Sequence, residues 1–356
     1  MEGIQTYLKR AVNGNYSDLF IIAGKAVSVQ KDGELEPLEA EKLTPEDAKT
    51  LIRGLYHLAG QPMDRFLAEK DDDFSLSLPG LARFRVSAYR QRGSRAAVIR
   101  IIRFGIPDWK QMNIPEDVMK IAGMNRGLVL LTGPAGSGKS TTLACIVDAV
   151  NRTRSAHIIT IENPIEYLHQ NKKGVVSQRE LGTDTGGRLA ALRSSLRQSP
   201  QVIVMEELGD PDTIETVLSA AETGRLVIST MYTAGAASAV SRIADAVPLS
   251  RQQMVRVQLS QVLQTVVSQQ LLPAAGGGWI PAFEVMRVNS AVRSMIREGR
   301  IAQIDPVLQN LSADGMTSMD ESLLRLCREG RISREAALDA AVNADQLKKR
   351  IRLRMD

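Results

Sequence analysis

Residues 133–140 read Gly133-Pro134-Ala135-Gly136-Ser137-Gly138-Lys139-Ser140, the pattern G-x-x-x-x-G-K-S. Glycines at these intervals let the backbone close tightly, so that successive N–H groups face one anion. Lys139 brings a point charge to the β- and γ-phosphates of a nucleoside triphosphate, and the Ser140 hydroxyl can ligate Mg²⁺. A helix starting near Lys139 adds the positive end of its dipole. The spacing therefore predicts an ATP site formed by Gly133, Pro134, Ala135, Gly136, Ser137, Gly138, Lys139, Ser140 and Thr141. Hydrolysis asks for more than binding. It needs one carboxylate to orient or deprotonate water and another near the metal. Two apolar runs end in such groups, Ile161-Glu162-Asn163-Pro164-Ile165-Glu166 and Met205-Glu206-Glu207. Glu162 and Glu207 are the candidates; Glu166 and Glu206 read equally well as surface glutamates.

These residues need a scaffold that brings their strand ends together. Residues 128–131, 158–161, 202–205 and 226–228 are short and apolar throughout, as parallel strands covered on both faces are. Residues 141–150 read as the helix after the glycine-rich loop. The pattern predicts a doubly wound α/β core whose ligands lie outside the carboxyl ends of the strands. Upstream, residues 18–22 and 26–29 read as strands, with Asp32-Gly33 as a hairpin turn. Thr44-Pro45-Glu46-Asp47 opens a helix, with an N-cap, a proline at the first helical position and early acids. Arg83-Phe84-Arg85-Val86-Ser87-Ala88 alternates as a half-buried strand does, and residues 97–102 read as its partner. The expected organisation is an α+β domain at 1–106, a linker at 107–125 carrying Pro107 and Pro115, an ATPase core at 126–288 and a helical region at 289–356. After about Leu272 the reading is helical, with apolar residues at three- and four-residue spacing in 291–300, 320–328 and 333–342. The basic tail, Lys348-Lys349-Arg350-Ile351-Arg352-Leu353-Arg354, reads as a solvated helix end.

Composition narrows the classes. The net charge of +5 is modest and only 4% of residues are aromatic, so nucleic-acid binding is not expected. Cys145 and Cys327 stand far apart, which excludes a disulfide framework and a cysteine zinc site; both read as small buried side chains. His57, His157 and His169 have no metal-binding spacing. No apolar run approaches the roughly 20 residues that span a bilayer, and the first residues lack a signal-peptide pattern. A cytoplasmic protein is expected.

Several further stretches, in order, resemble the secretion and pilus ATPase superfamily, specifically the twitching-motility retraction ATPases of the PilT/PilU type. They are Arg83-Phe84-Arg85-Val86, Gly127-Leu128-Val129-Leu130-Leu131-Thr132-Gly133-Pro134, Ile161-Glu162-Asn163-Pro164-Ile165-Glu166-Tyr167 and Gln178-Arg179-Glu180-Leu181-Gly182. Ala220-Ala221-Glu222-Thr223-Gly224, Ser268-Gln269-Gln270-Leu271-Leu272-Pro273 and Met295-Ile296-Arg297-Glu298-Gly299 continue the likeness. The resemblance implies a PAS-like N-terminal domain followed by a RecA-like motor, assembled as a homo-hexamer that works with an inner-membrane pilus platform protein, peripheral to the cytoplasmic membrane. By the same resemblance Glu162 matches the glutamate that activates water, and Glu207 matches the Walker B glutamate near Mg²⁺. Arg83, Arg85 and Arg100 match N-domain arginines that reach the phosphates from an adjoining protomer, where a guanidinium stabilises charge on the transferred group. Arg193 and Arg197, one helical turn apart, are weaker candidates.

The chain departs from the family at three boxes. The Asp box usually reads I-E-D-P-I-E, but here carries Asn163. Walker B usually reads G-E-M-R-D; here Glu206 stands for the glycine and Gly209 for the arginine. The His box, T-L-H-T, becomes Thr230-Met231-Tyr232-Thr233. A phenol donates a hydrogen bond but carries no positive charge at neutral pH, so slower turnover than an intact family member is expected. Besides the retraction motor, two readings remain: a nucleotide-binding accessory subunit sharing a ring with an active paralogue, and an extension or secretion ATPase. The latter usually carry an extra N-terminal domain and a four-cysteine metal motif, neither of which is read here.

Overall fold

The computed structural model describes residues 2–31, 34–102, 104–310 and 315–352. The expected turn at Asp32-Gly33 and the end of the basic tail lie outside the described residues. Two compact units emerge, Met1–Gly105 with Glu166–Leu168, and Ile106–Ile165 with His169–Asp356.

The first unit runs α1 (Ile4–Asn13), β1 (Asp18–Ile22), β2 (Ser28–Lys31), β3 (Glu34–Pro37), α2 (Pro45–Ala59), α3 (Asp64–Glu69), β4 (Asp71–Leu78), β5 (Ala82–Gln91) and β6 (Ser94–Ile102). Its sheet has the order β3-β2-β1-β6-β5-β4, with antiparallel pairing throughout. Helix α2 starts as its sequence predicts. The Thr44 hydroxyl accepts from the Asp47 N–H, and the Asp47 carboxylate accepts from the Thr44 N–H at 2.8 Å. Such a cap is worth about 1 kcal/mol. The two-residue strand period then sorts the sheet. Leu19, Phe74, Phe84, Val86 and Ile99 lie on the face that α1 and α2 cover. Arg83, Arg85 and Arg100 fall on the other.

The second unit opens with α4 (Glu116–Met119), β7 (Gly127–Thr132), α5 (Lys139–Thr153), β8 (His157–Glu162), β9 (Val175–Glu180), α6 (Arg188–Ser195) and β10 (Val202–Met205). It continues through α7 (Pro211–Glu222), β11 (Leu226–Met231), α8 (Ala236–Asp245), α9 (Leu249–Val262), β12 (Leu263–Pro273) and β13 (Trp279–Arg287). Helices α10 (Ser290–Arg297), α11 (Ile304–Asn310), α12 (Met319–Arg328), α13 (Arg334–Asp339) and α14 (Ala344–Arg352) follow. The sheet order is β13-β12-β7-β11-β10-β8-β9, parallel except for the edge strand β13. Alternate residues of its central strands feed different cores. Leu128, Leu130, Ile203 and Met205 pack with α7, α8 and α9, whereas Val129, Leu131, Val202 and Val204 pack with α4 and α5. Burial on both faces is why those strands read as unbroken apolar runs.

Two expectations need correction. The segment 107–125, expected as a linker, packs onto the second unit: Ile114, Val118 and Ile121, at helical spacing, are buried in the α5 core. The helical reading after Leu272 starts too early: its three stretches fall on α10, α12 and α13, but a strand comes before them. Residues 279–287 form β13, which closes an antiparallel hairpin on β12 through Gly277 and Gly278, both at positive φ. On β13, the buried Glu284 accepts from the first N–H of α8, Ala236, at 2.8 Å and from that of α12, Met319, at 3.3 Å. Burial raises its pKa above the ordinary carboxylate value, although both backbone donors oppose the shift.

Candidate functional site

The glycine-rich loop leaves the buried end of β7 and enters α5 through backbone that only glycine tolerates. Gly133, Gly136 and Gly138 have φ of 145°, 76° and 86°. At two of them the space is closed as well: a Cβ on Gly133 would sit 2.2 Å from the Gln269 carbonyl oxygen, and one on Gly138 would sit 2.8 Å from Gln269 Nε2. Gln269, buried on neighbouring β12, accepts a hydrogen bond from the Thr142 hydroxyl at 2.8 Å, which ties the loop and the first turn of α5 to the sheet. Lys139 is 8% exposed. Its ammonium donates to the carbonyls of Gly133 and Pro134 at 2.8 and 2.7 Å and lies 4.7 Å from the centroid of the Tyr232 ring. That cation–π contact is worth about 0.5–2 kcal/mol. The departure in the His box thus stands directly over the lysine of the glycine-rich loop.

Because β7, β11, β10 and β8 are parallel, their carboxyl ends share one edge of the sheet. At ~4.8 Å per strand, Glu207 follows a strand about 10 Å from β7, and Glu162 ends one about 14 Å away. Glu162 is nearly buried. One of its oxygens accepts from the Thr160 hydroxyl at 2.5 Å and from Gln178 Nε2 at 2.9 Å. The Gln178 carbonyl accepts from the His169 N–H at 2.8 Å, which fixes the amide so that its NH₂ faces Glu162. Burial lowers the pKa of the His169 ring to about 4. The turn after Glu162 is gripped from two sides, with the Asn163 N–H on Glu206 at 2.8 Å and the Ile165 N–H on the buried Glu180 at 2.9 Å. Glu207 has φ 59°, which turns its side chain away from that of Glu206 toward an ion pair with Arg188. Its N–H donates to Thr230 Oγ1 at 2.9 Å. Glu166 is exposed.

Arg85 and Arg100 are direct register partners on β5 and β6, with Asp18 opposite Arg100 and Ser75 opposite Arg85. Arg100 Nε donates to Asp18 at 3.2 Å, and Arg83 donates to Ser77 Oγ at 3.4 Å. Like charges at directly opposed register positions are unfavourable, and Asp18 offsets part of the charge at Arg100. Arg193 and Arg197 are exposed on and just beyond α6. Sequence reasoning missed Arg188, Thr160 and the roles of Gln178, Glu180 and Gln269; the last three sit in stretches that carried the resemblance, which was their only signal. Cys145 is buried and its thiol is pushed up to about 11, as an unreactive side chain should be.

The family model described as "Type II/IV secretion system protein" matches residues 2–305. The chain is 47% identical over 276 residues to a twitching motility protein of Neisseria gonorrhoeae, covering 77% of this chain and 74% of that one. It is 40% identical over 326 residues to the type IV pilus retraction ATPase PilT of Pseudomonas aeruginosa, covering 91% and 94%. The crystal structure of a pilus retraction motor PilT with bound ADP superposes with a TM-score of 0.91 at 39% identity, over 98% of this chain and all of that one.

Proposed function

The chain belongs to the type II/IV secretion system protein family, on its pilus-retraction ATPase branch, and from that membership we propose that it hydrolyses ATP to power type IV pilus retraction. One observation carries the catalytic part. A nucleotide loop and a hydrogen-bonded glutamate lie on the same edge of one parallel sheet, on strands in the order β7-β11-β10-β8. The loop and Lys139 hold the phosphates. Glu162, aimed by Thr160 and Gln178, orients the attacking water and takes its proton as the β–γ bond breaks.

Mg²⁺ fits the donors present. Ser140 offers a hydroxyl and Glu207 a carboxylate whose side chain is 47% exposed. Among the described residues no group of three or more His, Cys, Asp or Glu forms an all-protein metal cage, and Mg²⁺ in such enzymes relies on few protein groups plus phosphates. When bound, it neutralises charge on the β- and γ-oxygens. Glu207 must exchange Arg188 for this role. The paired Arg85 and Arg100, with Arg83, supply cations to the phosphates from an adjoining protomer of a homo-hexamer. Among the described residues no helix is long and apolar enough to cross a membrane; the ring docks peripherally on an inner-membrane platform protein at the cytoplasmic face.

Steady-state ATP hydrolysis with a parallel mass measurement tests this reading. Wild type turns over as a ring, more slowly than the PilT of P. aeruginosa. Lys139→Ala and Glu162→Gln lose at least about 100-fold in kcat, and Glu162→Gln still binds ATP. A wild type that binds ATP without turnover refutes the motor.

A further inference from the structure

Glu206 is bonded on both sides of Glu162. Its N–H donates to the carbonyl of Ile161 at 3.0 Å, continuing the β10–β8 ladder, and its carboxylate accepts from the N–H of Asn163 at 2.8 Å. A glycine, which the resembled family carries here, retains the first bond and has no side chain for the second. The next residue, Glu207, takes left-handed backbone at φ 59°, so Glu206 turns toward the Glu162 loop while Glu207 turns toward Arg188. On the far side, Glu180 from β9 holds the Ile165 N–H. The backbone after Glu162 is therefore gripped by one carboxylate from each strand flanking β8.

We propose that Glu206 is a positioning residue for Glu162, taking over from the neighbouring strand end the carboxylate that this chain lacks at position 163. The neutral Asn163 belongs to the same arrangement. An aspartate there would place a second negative charge beside Glu206, against the polarity of the N–H···carboxylate bond. Asn163 and Glu206 are thus two halves of one exchange rather than two separate losses. Glu206 touches neither phosphate nor water in this role; it sets where the Glu162 carboxylate stands, and sub-ångström errors of that kind cost rate rather than binding.

The inference rests on Glu162 acting as the base, so Glu162→Gln is run in parallel on the full-length chain, with kcat and KM for ATP measured separately. Glu206→Gly is expected to lower kcat at least ten-fold with KM within about two-fold, and Glu206→Gln, which keeps an acceptor oxygen, to retain at least a third of the rate. Asn163→Asp alone slows the enzyme, yet the Glu206→Gly/Asn163→Asp pair recovers most of what Glu206→Gly loses, giving a non-additive cycle. Wild-type kcat in Glu206→Gly, or additive losses in the pair, overturns the proposal. If Glu206→Gly does not fold, Glu206→Gln and Asn163→Asp still decide: a Gln variant as slow as Glu162→Gln, or an Asp variant at full rate, refutes it. Should Glu162→Gln itself turn over normally, the base assignment fails instead.

Discussion

The two ends of the nucleotide edge are built by different means. At the β7 end, three glycines at positive φ and a helix start shape the loop from the main chain, and at Gly133 and Gly138 the surrounding space admits nothing larger. At the β8–β10 end, side chains do the work: Thr160, Gln178, Glu180, Glu206 and Arg188 each hold a backbone group or a carboxylate in place. The glycine loop itself keeps the family pattern, whereas Asn163, Glu206 and Gly209 at the second end depart from it, as does Tyr232 over Lys139. A backbone cradle has one solution, because every residue's φ is fixed by sterics. A side-chain network has several, because a carboxylate can reach the same N–H from more than one position.

Four experiments probe that contrast. Gly133→Ala should be the most damaging, because the new Cβ meets a backbone carbonyl rather than a movable side chain. ATP binding measured by calorimetry should fall by about 100-fold or more, with a lower Tm. Normal binding would show that the cradle is not sterically unique. Gln178→Leu removes a donor from Glu162 and an acceptor from His169, and kcat should fall about ten-fold while ATP affinity holds; a change in affinity alone would place Gln178 on the wrong side of the comparison. Tyr232→His restores an imidazole over Lys139 and should raise kcat about two- to five-fold, and no gain would mean that the tyrosine does not limit turnover. The smallest effect concerns His169. Its folded pKa of about 4 lies below the ordinary histidine value of 6.5, so the unfolded chain takes up the proton first. Its contribution is complete above about pH 6.5 and declines as pH falls toward 4, by at most about 1.4 kcal/mol per unit. Melting curves at pH 7.5 and 5.5 should therefore converge in His169→Gln relative to wild type.

How far the sequence could be read follows the same division. The parallel strands were legible because burial on both faces leaves an apolar run, and α2 because its cap is local. Strand β13 was missed because an edge strand next to a glycine turn has no strict alternation: Ala282, Phe283, Glu284, Val285 and Met286 are buried in succession. The 114–121 segment was missed because prolines mark a break in the chain without saying whether the residues between them pack. In the candidate site, the glycine-loop spacing pointed to Lys139, and the ends of two apolar runs pointed to Glu162 and Glu207. Arg188 lies 19 residues from Glu207, and Glu206 lies 43 from Asn163; no local pattern encodes pairings across such separations. The Glu206 substitution was visible only as added negative charge, since its use depends on which strand lies next to which.

Glu284 adds a mechanical consequence. The segment that carries Tyr232 past Lys139 ends at Ala236, and the Ala236 N–H shares the Glu284 carboxylate with the N–H of Met319, where α12 begins. Moving either helix start alone strands one oxygen of a buried acid, at a cost of about 1–3 kcal/mol. The segment beside Lys139 and the start of α12 thus hang on one pin, so a displacement of either helix start is felt at the carboxylate that holds the other.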